Sequence, residues 1–408
     1  MEKLAVWYEG WGERWPLGTL AQEGHVVLFE YSPEAQREQL QLSPLQLPLR
    51  SQAFGNFPPH LQRLPGLIAD CLPDGWGMLL MDRLFAQQRI DPASVSVLTR
   101  LAWVGGRAIG ALAFEPAQGA QLEREDVQLL SLAQEAQHVL ADEATSALRK
   151  LLLLGGTPQG ARPKVLVHFD VETERMSTVP DAGSTPWLVK FQARQEHKEV
   201  CAVEVVYSTV ARLCGLDMPA TRHFDLDARH AAFAIARFDV QDGMRVPVHT
   251  LAGVLHADFT MPGAVDYTAF LRATRFMTRS EEEVRKAFDR ALFNVLFNNR
   301  DDHPKNFSYR LNRERRWELA PAYDLSFNEG PNGEHQMAVH GRGKDIGRSL
   351  LLDLADSAQL DRKWAASRID EMLRVAADMP RHLVTRAIRQ PTQRKIAACI
   401  AENAKRLA

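Results

Sequence analysis

Apolar and polar residues alternate in three short segments near the start of the chain. These segments read LAVWYE, LGTLA and HVVLFEY and are separated by glycine and proline, a pattern that predicts strands. After the turn Pro73-Asp74-Gly75, apolar residues from Trp76 to Phe85 recur at helical spacing. An acidic segment, 117–146, then predicts a link and a helix. We therefore expect a first unit at residues 1–148, with a small sheet and flanking helices.

Strand-like patterns return in the next hundred residues. LLLLGGTPQGARPKVLVHFD predicts an apolar run, a glycine-rich loop between strands, and a further strand, and TPWLVKFQA predicts another. One face of Lys198–Cys214 carries regularly spaced valines, which predicts a helix that Gly215 and Pro219 end. AAFAIARFDV predicts one more strand. These segments indicate an antiparallel sheet in a second unit, residues 149–245.

Helical patterns dominate the remaining residues, 246–408. Ser280 and Glu283 have the spacing of a capping box, in which each side chain bonds the other residue's backbone N–H. A buried stripe follows from Val284 to Leu296, and polar residues end this helix near Asn298-Asn299. Residues 357–408 again show amphipathic spacing, so we expect a mainly helical third unit.

Composition narrows the class of protein. The chain has 408 residues, of which 45% are apolar and 25% charged, and its net charge is −2. These values exclude disordered, collagenous and coiled-coil chains and give no global electrostatic argument for binding nucleic acid or a membrane surface. The start of the chain lacks a secretory signal, and no apolar run approaches the roughly 20 residues that span a bilayer. We expect a cytoplasmic protein without a membrane partner.

The densest group of chemically active residues follows the predicted buried helix. In FNNRDDHPKNFSYRLNRERRWELAPAYDLSF, Asp301 precedes Asn306 by five positions, the D-x4-N spacing of phosphotransferases. FSYRL and RWELAP predict a hairpin that would bring Asn306 and Asp324 together. One carboxylate could then orient and deprotonate a hydroxyl, while an amide and a second carboxylate hold Mg²⁺. His303 lies inside this loop and could brace Asp301.

Phosphoryl transfer also needs cations and backbone donors. Gly156 and Gly160 lie in the loop GGTPQGARPK, which could present N–H groups to phosphate, although it is not a Walker loop. Lys190 interrupts the apolar strand TPWLVKF. If that strand is central, its ammonium needs a partner, and Glu204 on the following helix is the candidate.

With these parts in this order, the chain resembles the HipA-type serine/threonine kinases, the toxins of bacterial toxin–antitoxin pairs linked to persistence. GARPK, LVKF, DDHPKNFSYR and LAPAYDLSF are the most specific motifs, and GTL, SPLQLPL and LPDGWG resemble the family's N-terminal domain. The resemblance implies an α+β fold: a small β-rich N-terminal subdomain joined to a two-lobed kinase-like core with a mainly helical C-terminal lobe.

The resemblance also implies a role for individual residues. Asp301 would be the catalytic base, Asn306 and Asp324 the Mg²⁺ ligands, and Lys190 and Lys164 the cations for ATP phosphates. A strand that contacts adenine in the family matches Ala236 and Phe238, with Ala236 in place of a frequent Glu. The position of the family's inhibitory autophosphorylation is occupied by Thr157. Asp302 stands where the family often has Gly.

The resemblance implies ATP and Mg²⁺ as cofactors. It also implies a translation-related protein substrate such as an aminoacyl-tRNA synthetase, and a small DNA-binding antitoxin as a partner, with DNA bound only indirectly. Two alternatives remain open from the residues. A small-molecule kinase could use the same D-x4-N machinery, and a catalytically silent pseudokinase could serve as a binding module.

Overall fold

The computed structural model describes residues 2–118, 122–143, 147–155 and 157–408. The strands are β1 Lys3–Tyr8, β2 Trp15–Glu23, β3 Val26–Tyr31, β4 Leu112–Glu115, β5 Lys164–Asp170, β6 Arg175–Ser177, β7 Thr185–Phe191, β8 Thr221–Asp225, β9 Ala231–Ala236, β10 Val240–Gln241, β11 Met244–Arg245, β12 Val248–Thr250, β13 Ser308–Leu311 and β14 Trp317–Leu319. The helices are α1 Pro33–Glu38, α2 Gly66–Ala69, α3 Gly75–Gln87, α4 Val97–Val104, α5 Leu129–Leu140, α6 Leu148–Gly155, α7 Glu199–Leu213, α8 Leu251–Leu255, α9 Tyr267–Thr278, α10 Glu281–Leu296, α11 Arg348–Ser357, α12 Arg362–Ala377, α13 Met379–Val384 and α14 Gln390–Leu407.

The chain forms two compact units. The first contains Met1–Cys201 and Ala220–His249, and the second contains Ala202–Pro219 and Thr250–Ala408. Sheets dominate the first unit and helices the second, which confirms the α+β class. The three-part division at residues 148 and 245 stays a prediction.

The N-terminal sheet has the strand order β3-β2-β1-β4, and each neighbouring pair is antiparallel. In β1 the buried residues Leu4, Val6 and Tyr8 alternate with more exposed ones. This period of two is the one read in the sequence, because alternate side chains of a strand point to opposite faces. The predicted small N-terminal sheet is therefore confirmed.

A second sheet of the first unit has the order β6-β5-β7-β9-β8. β7 is its central strand, and it pairs antiparallel with both β5 and β9.

The leucine run before β5 differs from the prediction, because Leu148–Gly155 is the helix α6. The buried leucines of this helix recur at helical spacing: Leu148, Leu151, Leu152 and Leu154. The glycine-rich loop therefore connects a helix to β5, not two strands.

Helix α10 is the core of the second unit, with its stripe from Val284 to Leu296 buried. Ser280 caps it by accepting a hydrogen bond from the Glu283 N–H at 3.4 Å. The return half of the predicted capping box is absent. The Ser280 N–H donates to Thr278 Oγ1, and the Glu283 carboxylate instead accepts from the Leu319 N–H of β14 at 2.7 Å. Glu283 thus ties α10 to the hairpin.

No described helix is both long enough and apolar enough to cross a membrane.

Candidate active site

A polar loop follows α10 because the apolar stripe of that helix ends at Phe297. Asn298 adopts a left-handed backbone conformation with φ of 56°, which turns the chain away from the helix axis. Its side-chain amide donates to the Asn328 carbonyl at 3.1 Å, and the Asn328 N–H donates back to the Asn298 carbonyl. The loop is therefore held at a defined distance from the segment after β14.

Asp301 is the first chemically active residue of this loop, and its side chain is 46% exposed. Its Oδ1 accepts a hydrogen bond from Gln336 Nε2 at 2.8 Å. Its backbone carbonyl accepts from Asn306 Nδ2 at 2.7 Å, so the D-x4-N spacing closes a local ring between the two residues. A held and partly exposed carboxylate has the geometry that a general base needs.

His303 lies beside Asp301, but its imidazole makes no hydrogen bond to the Asp301 carboxylate. Its Nε2 is 4.0 Å from Asp301 Oδ1, beyond hydrogen-bond range. The imidazole instead packs against Phe259, with ring centroids 5.7 Å apart. Any bracing of Asp301 by His303 would thus be electrostatic or steric, and this role stays a prediction.

Asp302 is completely buried and accepts three hydrogen bonds. They come from Tyr267 Oη at 2.6 Å, His335 Nδ1 at 2.8 Å and the Gln336 N–H at 2.8 Å. Burial, with the Asp302 carboxylate adding to it, raises the pKa of Tyr267 well above its usual value, so the phenol remains a donor. Asp302 therefore fixes the segment that carries Gln336, the partner of Asp301.

The predicted hairpin forms from β13 and β14, paired antiparallel with Tyr309 opposite Leu319. Beyond its open end, Tyr323 Oη donates to the Lys305 carbonyl at 2.6 Å and lies 2.6 Å from Ser308 Oγ. The residue next to Tyr323 is Asp324, whose φ of 56° is a left-handed conformation that costs energy outside glycine. The residue before Asp324 thus contacts, through its side chain, the segment from Lys305 to Ser308.

Oxygen donors at this end of the hairpin suit Mg²⁺. Asn306 uses its Nδ2 for the Asp301 carbonyl, which leaves Oδ1 as the atom available to a cation. The described part of the chain contains no cluster of three or more His, Cys, Asp or Glu side chains placed to hold a metal. A cation held by Asn306 and Asp324 would therefore need further oxygens, such as those of a phosphate.

A buried arginine anchors the end of this hairpin. Arg290 of α10 donates through Nη2 to the Ala320 carbonyl at 2.7 Å. Burial lowers the pKa of Arg290 to about 10, well below its ordinary value but still high enough for the group to remain charged at neutral pH. A charged donor strengthens this bond, which fixes the chain four residues before Asp324.

Lys190 and Lys164 lie opposite each other in the first unit. Lys190 is on the central strand β7 and pairs in register with Lys164 of β5. Residues directly opposite in an antiparallel pair share one face of the sheet. Both are buried, at 7% and 3% exposure, and Lys190 Nζ is 5.7 Å from the Phe233 ring centroid. Two ammonium groups on one face would attract an anion such as phosphate. Glu204 of α7 is also buried, in the second unit, and its pairing with Lys190 stays a prediction.

The glycine-rich loop carries three further candidates. Gly156 lies outside the described residues. Gly160 has φ of 107° and lies against the Lys164 ammonium, so a side chain there would meet both a strained backbone and a clash. Thr157 is only 5% exposed. Its hydroxyl would need a movement of the loop to reach a phosphoryl donor.

Ala236 ends β9, and its N–H donates to the Ala220 carbonyl at 2.9 Å. An adenine contact at this residue would therefore have to use its carbonyl. Phe238 follows two residues later, between Arg237 and Asp239, which form a buried ion pair with a 2.7 Å contact. Asp239 also accepts from the Gly110 N–H at 3.0 Å. The segment is thus tied to the N-terminal part of the first unit.

We expect Asp239→Asn to lower the free energy of unfolding by about 1.5–3 kcal/mol at pH 7, because a charged hydrogen-bond acceptor is lost. Burial works to raise the pKa of Asp239, but the Arg237 guanidinium outweighs it and holds this pKa below its usual range. A depressed native pKa means that the contribution is complete above the unfolded pKa of about 3.9 and disappears as the pH falls through the lower native value.

Urea unfolding between pH 3 and 7 tests this expectation. The variant should lose stability at pH 7 and show a shallower acid limb below about pH 4 than the wild type. Asp126→Ala is the control, because it breaks an exposed pair with Arg175 and should change stability little at any pH. Equal effects of the two variants would contradict the buried-pair argument.

Several residues of this site carry no signal in the sequence. Gln336, His335 and Tyr267 are far from Asp301 along the chain and belong to no recognisable motif. Asp302 stood out only as a departure from a frequent Gly.

The predicted site residues that the structure describes are divided between the two units. The first unit holds Thr157, Gly160, Lys164, Lys190, Ala236 and Phe238, and the second holds Glu204, Asp301, His303, Asn306 and Asp324.

Known families match both ends of the chain. Residues 4–115 match the family model of the HipA N-terminal domain, and residues 156–379 match that of the HipA-like C-terminal domain. The second match alone covers more than half of the chain. The protein Y4dM of Sinorhizobium fredii, which is named as a kinase, is 27% identical over 382 residues, and the match covers 85% of each chain.

A solved structure shares the fold. It is a chain of the Shewanella oneidensis MR-1 toxin–antitoxin complex of HipA, HipB and operator DNA, superimposed with a TM-score of 0.73. The match covers 99% of this chain and 97% of the other, at 17% identity. At this identity the likeness shows the fold alone.

Proposed function

The chain belongs to the HipA-like family, and from this premise we propose that it is an ATP- and Mg²⁺-dependent serine/threonine protein kinase. The observation that carries the proposal is the coupling of Asp301 to Asn306 through a 2.7 Å hydrogen bond, at the open end of the hairpin that leads to Asp324. Asp301 and Asn306 lie in one loop and Asp324 follows the hairpin, and these are the side-chain types that phosphoryl transfer needs.

Asp301 would act on the acceptor hydroxyl. Its carboxylate, oriented by Gln336, would accept the hydroxyl proton as the oxygen attacks the γ-phosphorus and the bond to the β-phosphate oxygen breaks. The proton moves to the carboxylate, and ADP leaves with the electrons of the broken bond. Most of the acceleration would come from position and electrostatics.

Asn306 Oδ1 and the Asp324 carboxylate would hold Mg²⁺ against the phosphates. When bound, the cation offsets the negative charge that develops on the transferred group. Lys190 and Lys164, which lie opposite each other in register, would supply positive charge to the ATP phosphates. Ala236 and Phe238 would contact the adenine.

Regulation and partners form the rest of the proposal. Phosphate on the buried Thr157 would add a charge of about −2 to a loop meant for the phosphates of ATP, which would shut the enzyme down by repulsion. The Shewanella complex contains HipB and operator DNA, so we propose a small DNA-binding antitoxin as partner. A translation-related protein such as an aminoacyl-tRNA synthetase is the proposed substrate.

Incubation of the purified protein with γ-labelled ATP and Mg²⁺, alone and with a bacterial extract, tests the activity. We expect label at Thr157 and on one extract protein, and loss of both with EDTA. Asp324→Ala should raise the Mg²⁺ concentration for half-maximal labelling more than about ten-fold, because a carboxylate that would bind the cation directly is removed.

The alternatives give different results in the same assay. Label on a metabolite and on no protein would indicate a small-molecule kinase. ATP binding without transfer to any acceptor would indicate a pseudokinase. Equal Mg²⁺ dependence of the wild type and Asp324→Ala would remove Asp324 from the metal site.

A further inference from the structure

The first turn of α3 contacts the glycine-rich loop that precedes β5. Asp74 occupies the N-cap position of α3, where an aspartate normally accepts from an N–H of its own helix. Its carboxylate makes no such cap bond and accepts from the Gly160 N–H instead. A residue that gives up a favourable local bond for a distant one points to a tertiary role.

Trp76 binds the middle of the same loop and its C-terminal end. Its N–H donates to the Gly160 carbonyl at 3.0 Å, and its indole Nε1 donates to the Lys164 carbonyl at 3.1 Å. The side chain is 1% exposed, so these donors have no water to replace their acceptors. Lys164 is thereby fixed at the start of β5, opposite Lys190.

Gly75 allows this close approach. A Cβ at this position would lie 2.7 Å from the Ala161 Cα and 2.8 Å from the Gly160 carbonyl oxygen, distances that real side chains do not reach. Its φ of 36° is also in the left-handed region. The turn Asp74-Gly75-Trp76 therefore packs backbone against backbone on the loop.

A second set of hydrogen bonds holds the same loop. Gln159 of the loop donates through Nε2 to the Asp70 carbonyl at 3.0 Å, and its own carbonyl accepts from the Lys164 ammonium. The Asp70 carboxylate lies 2.7 Å from His249 Nδ1, and His249 Nε2 lies 3.0 Å from Ser43 Oγ. His249 and Ser43 are fully buried, so this Ser–His–Asp chain is a brace and offers no accessible nucleophile.

The contacts of Asp74 and Trp76 occupy only some of the backbone groups of the loop. The Gly160 N–H serves as the anchor, whereas the N–H groups of Gln159 and Ala161 make no hydrogen bond to another residue that the structure describes. Backbone N–H groups in such a loop are the donors that suit phosphate. The bond to the Gly160 N–H therefore holds the loop in place, while the neighbouring N–H groups can still donate to a phosphate.

We propose that Asp74 and Trp76 are positioning residues for the nucleotide phosphates, so that the HipA N-terminal domain completes the nucleotide site of the kinase core. The inference rests on the proposed function, because it assigns the loop to ATP. The contacts do not depend on activity, so the position of the loop is measurable by itself.

Asp74→Ala in the full chain tests the inference. We expect hydrogen exchange in peptides covering residues 157–163 to become about ten-fold faster without nucleotide, because the bond to the Gly160 N–H is lost. We also expect the KM for ATP to rise about ten-fold while kcat changes little, since the loop must be ordered on binding. Asp74→Asn keeps an acceptor oxygen and should restore most of both properties.

Asp91→Ala is the matched control, because Asp91 also accepts one backbone N–H, from Ala93 at 3.0 Å, but this bond lies within its own turn at the start of Pro92–Ser94. Exchange in 157–163 that stays at the wild-type rate in Asp74→Ala would overturn the inference. So would faster exchange with an unchanged or lower KM for ATP. ATP binding by the wild type is measured first, because its absence would contradict the proposed function itself and this inference with it.

Discussion

Asp301→Ala should lower kcat about 1,000-fold while leaving the thermal stability of the chain nearly unchanged. A positioned general base contributes about 10²- to 10⁴-fold to proton transfer. The Asp301 side chain is 46% exposed, so its loss removes little packing. Its backbone bond from Asn306 remains in the variant, because that bond uses the main-chain carbonyl. The loss should therefore appear in kcat and not in the folded structure.

Steady-state phosphate transfer to the labelled extract protein measures this effect, with the melting temperature as a check of folding. Asp353→Ala is the matched control, since Asp353 is an exposed aspartate of the same unit, in helix α11 and paired with Arg362 at 3.2 Å. It should leave kcat within about two-fold of the wild type, as surface substitutions usually do. A decrease below about ten-fold in Asp301→Ala would mean that another group accepts the proton.

Asp302→Ala should lower the free energy of unfolding of the second unit by about 3–5 kcal/mol, because it leaves several buried donors without an acceptor. Tyr267 Oη, His335 Nδ1 and the Gln336 N–H all donate to this one fully buried carboxylate. Tyr267 also accepts from Asn294 at 3.0 Å, so the effect should spread into α10.

Urea unfolding and hydrogen exchange of peptides covering residues 335–338 measure the loss. Asp302→Asn keeps the shape of the side chain and one acceptor oxygen, and it should recover only part of the stability because its NH₂ group faces a donor. Asp353→Ala again provides the control, this time as an exposed aspartate whose removal leaves its partner Arg362 paired with Asp356. A loss below about 1 kcal/mol in Asp302→Ala would show that water or another residue replaces the carboxylate.

The neighbouring aspartates thus differ in role, although the sequence presents them as a pair. Asp301 is partly exposed and bonded through its side chain to Gln336, whereas Asp302 is buried and holds the backbone and neighbour of Gln336. Burial separates the two roles, because only an accessible carboxylate can meet a substrate hydroxyl, whereas the buried Asp302 uses its oxygens for three donors of the protein.

Periodicity in the sequence determined the local elements. The alternation in β1, the stripe of α10 and the hairpin β13–β14 all appear as the pattern predicts, because each depends on residues a few positions apart. The D-x4-N spacing likewise placed the Asp301 carbonyl against the Asn306 amide. The leucine run before the glycine-rich loop was the exception: its composition suits a strand or a helix, and tertiary packing selected the helix α6.

Only the tertiary structure decided which distant groups support the site. Gln336 lies 35 positions from Asp301, and Asp74 lies 86 positions from Gly160. Neither pair has a spacing that a helix or strand imposes, so the sequence could name the reactive groups and not the groups that hold them. By itself the sequence determined most of the helices and strands, the motifs and their chemistry, since these follow from local geometry. The folded chain decided their supports, because burial leaves each polar group with whichever partner the packing brings within hydrogen-bond distance.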